Sequence, residues 1–223
     1  IALGASPAAS KNITETYDGT SWTAGNPCLT AREGGAGFGT QTAAINTSGQ
    51  NLVINESWDG TCWTEVNNPL VGRSSAACLG TQTAGMFVGG RGPPPSFNTT
   101  SETWDGTCYT EGNNLQGGRT LFHGAGSTTA GIVAGGSSPS PARWNQTETW
   151  NGTSWTETNN LNTARNSFGR ASAGTTTAWL VFGGNTPTPT AYAEEWNGTS
   201  WTEVADLAGP RDVTGGSGTS AAL

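Results

Sequence analysis

The sequence predicts an all-β protein built from one repeated unit, and three observations lead to this prediction. A segment of eight residues, written WNGTSWTE in its last copy, occurs five times. Its second aromatic residue recurs at steps of 41, 46, 46 and 46 residues, a period typical of solenoids and propellers. Only 11% of the residues are charged, 34 of 223 are glycine, and no apolar pattern predicts a helix of useful length. The expected fold is a β-propeller with one four-stranded antiparallel blade per repeat.

Three positions keep the same phase in every repeat. The second aromatic residue is found at Trp22, Trp63, Tyr109, Trp155 and Trp201. A glutamate comes seven positions earlier, at Glu15, Glu56, Glu102, Glu148 and Glu194. An arginine comes ten positions later, at Arg32, Arg73, Arg119, Arg165 and Arg211. We predict that each arginine approaches a repeat glutamate or a backbone carbonyl and that most of these groups are buried, because an unpaired buried charge is costly. The alternative is an anion-binding ring of arginines.

The repeated segment predicts a β-hairpin. Asn-Gly or Asp-Gly between two threonine- and aromatic-rich runs is a strong signal for a two-residue type I′ turn. With the Asn-Gly of the last copy as that turn, Trp196 would lie opposite Thr199, and Glu194 would lie opposite Trp201. Because side chains alternate along a strand, Glu194, Trp196 and Trp201 would share one face. Such a face needs to be covered by a neighbouring blade.

Each repeat also predicts two further strands. A run of small residues follows the arginine, as in RNSFGRASAG, and predicts an innermost strand that can crowd around an axis. A short apolar run ending in Gly-Gly, as in GIVAGG, predicts the next strand. The whole chain is then one propeller domain. Its predicted blades are 211–223 plus 1–27, 28–68, 69–114, 115–160 and 161–210.

The two ends of the chain are predicted to share one blade. The segment after Arg211 predicts an innermost strand, and IALGAS at residues 1–6 predicts the strand beside it. Counted across both ends, Arg211 precedes Trp22 by 34 residues, against 36 in the three regular repeats and 31 in the second. The sequence therefore predicts a closed ring of five blades without a free sheet edge.

The order of these elements resembles that of kelch-repeat propellers over essentially the whole chain. An arginine, a small-residue strand and an apolar strand ending in Gly-Gly are followed by Glu-x-Trp-(Asn/Asp)-Gly and a second Trp. The wording WNGTSWTE followed by NNL is also similar to kelch-like repeat proteins of marine bacteriophages and bacteria. These resemblances imply a binding or structural module at a virion surface or outside the cell, such as a phage tail, fibre or decoration component.

Composition argues against several functions. The formal net charge is −7 and the sequence pI is about 4.6, which argues against a nucleic-acid partner. No apolar run approaches the roughly 18 residues of a membrane span, so no membrane insertion is expected. His123 is the sole histidine, and we expect no metal, no cofactor and no catalysis. Sugar hydrolysis would need paired carboxylates outside the repeat phase. The carboxylates outside the repeat phase that could form such a pair are Glu33, Glu195, Asp206 and Asp212.

Cysteines and glycosylation sequons carry little functional signal. Cys62 and Cys108 occupy the same repeat position, and Cys28 and Cys78 are at unrelated phases. We expect four small buried thiols, with a Cys28–Cys62 disulfide as the alternative. Asparagine in two sequons, Asn151 and Asn197, stands at a hairpin turn where other copies have aspartate. Turn chemistry explains these two asparagines, and glycosylation is the alternative.

Three long loops between the second and third strands depart from the repeat. They are Pro-containing and span residues 91–100, 137–146 and 185–192, and we expect them on one face of neighbouring blades, with no comparable loop on the other two. The candidate binding residues that they carry are Arg91, Phe97, Arg143, Trp144 and Tyr192. Such residues on stiff loops are typical of interaction surfaces, although Trp144 could instead pack on its own blade. The expected partner is another protein subunit of an assembly or a surface glycan. The alternative function is a lectin or carbohydrate-active enzyme on the same scaffold.

Overall fold

A computed structural model describes residues 2–3, 12–93, 96–139, 143–170 and 174–212 of the chain. Within these ranges the regular structure consists of β-strands that form five antiparallel sheets, and no helix is present. No helix in the described ranges is long and apolar enough to cross a membrane. The predicted all-β class with antiparallel four-stranded sheets is confirmed.

The sheets follow one another along the chain. Sheet 1 contains β1 (Ala2–Leu3), β2 (Thr14–Tyr17) and β3 (Trp22–Gly25). Sheet 2 contains β4 (Ala36–Gly39), β5 (Ala44–Thr47), β6 (Asn55–Trp58) and β7 (Trp63–Glu65). Sheet 3 contains β8 (Ala77–Thr81), β9 (Ala84–Val88), β10 (Ser101–Trp104) and β11 (Tyr109–Gly112). Sheet 4 contains β12 (His123–Gly126), β13 (Gly131–Ala134), β14 (Thr147–Trp150) and β15 (Trp155–Thr158). Sheet 5 contains β16 (Gly169–Arg170), β17 (Trp179–Phe182), β18 (Ala193–Trp196) and β19 (Trp201–Val204).

The terminal strand arrangement is described in part. β1 pairs antiparallel with β2, with Ala2 opposite Glu15 and Leu3 opposite Thr14. This is the place that the sequence predicts for the second strand of the first blade. The predicted innermost strand from residues 213–223 lies outside the described residues.

The hairpin register differs from the sequence prediction. Trp196 lies opposite Trp201 and Glu194 lies opposite Glu203, so the turn has four residues rather than two, and the predicted type I′ register is wrong. The side chain of Asn197 explains the longer turn, because its Oδ1 accepts the backbone N–H groups of residues 199 and 200 at 2.9 Å each. This local bonding is what favours Asn and Asp in turns. The predicted sharing of one face by Glu194, Trp196 and Trp201 still holds.

The core lies between consecutive sheets, where the two aromatic residues of one hairpin cover apolar side chains of the preceding sheet. At the junction of sheets 4 and 5, Trp196 and Trp201 belong to the same buried cluster as Ile132 and Ala134. The two indoles lie 5.4 Å apart between ring centroids. Equivalent clusters join sheets 3 and 4 and sheets 2 and 3. The hairpin aromatics are therefore the packing units of this repeat.

Two kinds of hydrogen bond recur at these junctions. The indole N–H of the second aromatic residue donates to a hydroxyl of the preceding sheet. These bonds are Trp63 to Thr14 (2.9 Å), Trp155 to Ser101 (3.0 Å) and Trp201 to Thr147 (2.9 Å). An asparagine after the last strand of a sheet donates from Nδ2 to a carbonyl of the next hairpin. These bonds are Asn26 to Thr61 (2.9 Å), Asn67 to Thr107 (2.9 Å), Asn113 to Thr153 (2.8 Å) and Asn159 to Thr199 (2.8 Å).

Candidate functional site

Four of the five repeat arginines form buried ion pairs with repeat glutamates. Arg32 pairs with Glu56 at 2.8 Å and Arg73 with Glu102 at 2.6 Å. The other two pairs are Arg119 with Glu148 and Arg165 with Glu194. The predicted pairing is confirmed at these four positions. All four guanidinium groups are buried and already neutralised by a carboxylate, which argues against the alternative of an arginine anion site.

Each paired glutamate also accepts a hydrogen bond from a backbone N–H group of the connection that leads into its sheet. Oε2 of Glu148 accepts the backbone N–H of Gln116 at 2.8 Å, while Arg119 donates to the carbonyl of Gln146 at 2.9 Å. Glu102 accepts the backbone N–H of Leu70 at 2.7 Å in the same way. The ion pair therefore links the entry to a sheet with the loop between its second and third strands.

Burial is the largest influence on the pKa values of two of these pairs, Arg73–Glu102 and Arg119–Glu148. It raises the pKa of Glu102 and Glu148, and the neighbouring arginines oppose that rise. Burial likewise lowers the pKa of Arg73 and Arg119, against the attraction of their glutamates. Desolvation of both partners is costly, so the pairs serve to satisfy charges that the fold encloses. This is a structural role, and it is the role that the sequence predicts.

The fifth repeat pair is absent from the described residues, since Glu15 and Arg211 are both exposed. The backbone of Arg211 nevertheless follows the repeat. Its carbonyl accepts the N–H of Gly184 at 2.7 Å, as the carbonyl of Arg165 accepts that of Gly136 at 2.9 Å. The chain therefore reaches Arg211 in the same position as in the other repeats.

The predicted binding loops are partly brought together. Nε of Arg143 donates to the carbonyl and Oδ1 of Asn185 at 3.1 and 3.0 Å, so the loops at 137–146 and 185–192 are in contact. Arg91 and Tyr192 are exposed, whereas Phe97 and Arg143 are half-buried. The connection between β5 and β6 is shorter, at residues 48–54, and residues 4–11 between β1 and β2 lie outside the described residues. The absence of a comparable loop from the first blade therefore stays a prediction.

Trp144 is used for packing within its own sheet. Its ring centroid lies 4.9 Å from the guanidinium carbon of Arg119. The ring also packs directly over Gly117, where a Cβ atom would lie only 2.2 Å from it. The residue is half-buried and lines a cavity of about 140 Å³ with Gln146 and Glu157. The buried Nε1 of Trp144 and Oε1 of Gln146 have no hydrogen-bond partner. This contact favours the alternative that Trp144 supports its own blade.

The cysteines depart from the prediction. All four are free thiols, so the alternative Cys28–Cys62 disulfide is not formed. Cys28 and Cys78 are buried as expected, but Cys62 and Cys108 are exposed, because their repeat position falls in the hairpin turn. A hydrogen bond to Asp59 raises the pKa of the Cys62 thiol, and the charge of Asp105 raises that of Cys108.

The remaining ionisable residues show no convergent arrangement in the described part of the chain. The ring of His123 packs edge-on against Phe168, with centroids 5.4 Å apart. No group of three or more His, Cys, Asp or Glu side chains there could hold a metal. Glu33, Asp206 and Asp212 are exposed and Glu195 is half-buried. A second repeated glutamate, two residues after the second aromatic of four hairpins, is exposed at Glu65, Glu111, Glu157 and Glu203.

Comparison with known proteins supports the fold. Neither a protein-family model nor a curated protein matches the chain. The solved structure of YjhT is similar, with a TM-score of 0.68 and 11% sequence identity over 83% of this chain and 68% of that chain. At this identity the likeness shows the fold alone, and the chain has a propeller-like fold. The kelch relationship and the number of blades stay predictions.

Proposed function

We propose that the five sheets are the blades of a closed, kelch-like ring. The strands β4, β8 and β12 each begin four residues after a repeat arginine, and residues 215–218 stand at the same distance from Arg211. These residues, GGSG, are rich in small side chains, like the innermost strands β4 (AGFG) and β12 (HGAG). They would supply the fourth strand of sheet 1, beside β1. Slow hydrogen exchange of residues 215–218 would support this strand, and exchange at the rate of an unstructured peptide would contradict it.

The ring serves as a non-catalytic binding or structural module whose partner docks on the face formed by the long loops. The observation that carries this proposal is the contact between Arg143 and Asn185. It joins two neighbouring loops into one surface and limits the entropy that ordering them would cost on binding. Exposed Tyr192 and Arg91 are the residue types that contribute most at such surfaces. Trp144 packs against Arg119 and Gly117 and so supports the loop that carries it.

The partner is another protein subunit of an assembly or a surface glycan, in a virion-surface or extracellular setting. The resemblance to kelch-like repeat proteins of marine bacteriophages and bacteria supports this setting. The net charge of −7 supports a partner other than nucleic acid.

Loop and hairpin variants test the docking face. Purified protein is assayed on a glycan array and against the virion or cell fraction of its source. Tyr192→Ala and Arg91→Ala are expected to reduce binding at least tenfold, and Thr153→Ala and Thr199→Ala on the hairpin turns to leave it unchanged. Binding that survives the loop changes and is lost with the hairpin changes would place the partner on the opposite face. Binding that a free sugar competes away would identify the lectin alternative.

A further inference from the structure

Sheet 5 presents an apolar face that no described sheet covers. Leu180 and Phe182 alternate with Trp179 and Val181 along β17, and the latter two are fully buried against sheet 4. Leu180 and Phe182 therefore point to the opposite side. There they line a groove of about 450 Å³ together with Ala193, Val204 and Leu207. Apolar surface of this kind marks an interaction site.

Sheet 1 presents the complementary feature, an uncovered pair of aromatic rings. Trp22 is 56% exposed and Tyr17 is 41% exposed, whereas the equivalent Trp155 and Trp150 are 2% and 4% exposed. The two rings are already arranged as in the buried hairpins. Their centroids lie 5.2 Å apart at an interplanar angle of 39°, against 5.4 Å and 44° for Trp150 and Trp155. The hairpin is thus preformed for packing.

The junctions within the chain indicate what covers the groove. Wherever one described sheet follows another, the aromatic pair of the later hairpin packs toward the sheet before it, as Trp201 does toward Thr147. In the described residues both rings are exposed and neither lines the groove. We infer that closure of the ring brings Tyr17 and Trp22 into the groove on sheet 5 of the same chain and so forms a fifth junction. This inference rests on the proposed five-bladed ring, in which Arg211 leads from sheet 5 directly into sheet 1. That tether gives the hairpin of the same chain a high effective concentration over the hairpin of a second copy.

The fifth junction differs chemically from the other four. The hydroxyl that receives the indole N–H, as in Thr14 and Thr147, is replaced by Ala193. The asparagine that bonds the next hairpin, as in Asn159, is replaced by Ala205. Neither recurring hydrogen bond can therefore form from these positions. The fifth junction is held by apolar contact and is the place where the ring opens most readily.

Hydroxyl-radical footprinting with mass spectrometry tests the occupant of the groove. In the folded full chain, Trp22 is expected to be labelled as slowly as Trp155, at every protein concentration from about 1 to 100 μM. Labelling at the rate of an exposed indole would overturn the inference. Protection that appears only at high concentration, together with a larger mass by light scattering, would assign the groove to a second copy and overturn it as well.

Substitutions on both sides of the junction sharpen the test. Leu180→Asp is expected to increase the labelling of Trp22 at least fivefold, while Leu70→Asp, on a leucine that is 55% exposed, leaves it unchanged. Ala193→Thr and Ala205→Asn would restore the missing donors and acceptors, and each is expected to raise Tm by about 2–4 °C. Unchanged Trp22 labelling in Leu180→Asp would contradict the inference.

The junction and the proposed function can fail separately. The loop variant Tyr192→Ala is expected to leave Trp22 protected even if it abolishes partner binding. A protected Trp22 without any partner on the loop face would keep the junction and reject the function. An exposed Trp22 in a chain that still binds through its loops would do the reverse.

Discussion

Arg119 and Glu148 form a buried ion pair beneath the ring of Trp144. Both side chains are 1% exposed, and the same carboxylate also fixes the backbone N–H of Gln116. The pair therefore joins an inter-sheet connection, a strand and a loop. This arrangement explains why the repeat keeps its glutamate and arginine in constant phase.

Replacing Glu148 is expected to lower the free energy of unfolding far more than replacing Glu157, the glutamate opposite it in the sheet. Glu148→Ala leaves Arg119 charged and unpaired in the core, which destabilises by about 3–5 kcal/mol. Glu157 lies opposite Glu148 in the sheet but is exposed, so Glu157→Ala changes the free energy of unfolding by about 0.5 kcal/mol or less. Urea unfolding of the two variants measures the difference. Equal urea midpoints for the two variants would show that the ion pair does not stabilise the fold.

The repeat phase carried enough information to predict the pairs, the strands and the face that Glu194, Trp196 and Trp201 share. The hairpin register was wrong because the signal for a two-residue turn ignores the side chain of Asn197, which closes a four-residue loop. The place of Trp144 could not be predicted, since it depends on the missing Cβ of Gly117, a residue 27 positions away in sequence. A glycine where three other repeats have Thr30, Val71 and Thr163 is a signal that could have revealed it, although the fifth repeat also has a glycine, Gly209, at this position.

Tyr109 provides a second test, because it replaces the tryptophan found at this position elsewhere. Its buried hydroxyl faces Thr47 but makes no hydrogen bond of good geometry with it, and Asn55 Oδ1 has no hydrogen-bond partner. Tyr109→Phe is expected to leave the free energy of unfolding unchanged or to raise it by up to about 1 kcal/mol, since an unsatisfied buried group is removed. Trp155→Phe should lower it by about 1–3 kcal/mol, because the bond to Ser101 and part of the ring are lost. A larger loss in Tyr109→Phe than in Trp155→Phe would contradict this view.

Hairpin turns that contain aspartate should make the stability depend on pH, whereas turns that contain asparagine should not. Oδ1 of Asp105 accepts the N–H groups of Cys108 and Thr107 at 2.8 Å each, and these bonds lower the pKa of Asp105. A lowered folded pKa gives stability that is present above the unfolded value of about 4 and is lost as the pH falls through the folded pKa. Asp105→Asn should therefore reduce the fall in Tm between pH 6 and pH 2, and Asn151→Asp should increase it. Identical slopes for all three proteins would show that the turn carboxylate does not contribute.

The space over Gly117 is expected to decide whether Trp144 can cover the ion pair. A Cβ at Gly117 would lie 2.2 Å from the Trp144 ring, whereas one at Gly112 meets nothing closer than 3.6 Å. Gly117→Ala should thus displace the indole and lower the free energy of unfolding by about 1–3 kcal/mol, the usual cost of overpacking. Gly112→Ala is the matched control and should change it by less than about 1 kcal/mol. Thermal unfolding compares the two, and the tryptophan emission of Gly117→Ala should shift to the red as the ring of Trp144 becomes solvated. A Gly117→Ala protein with unchanged Tm and emission would mean that Trp144 does not rest on this glycine, and the loop face would then regain Trp144 as a candidate contact residue.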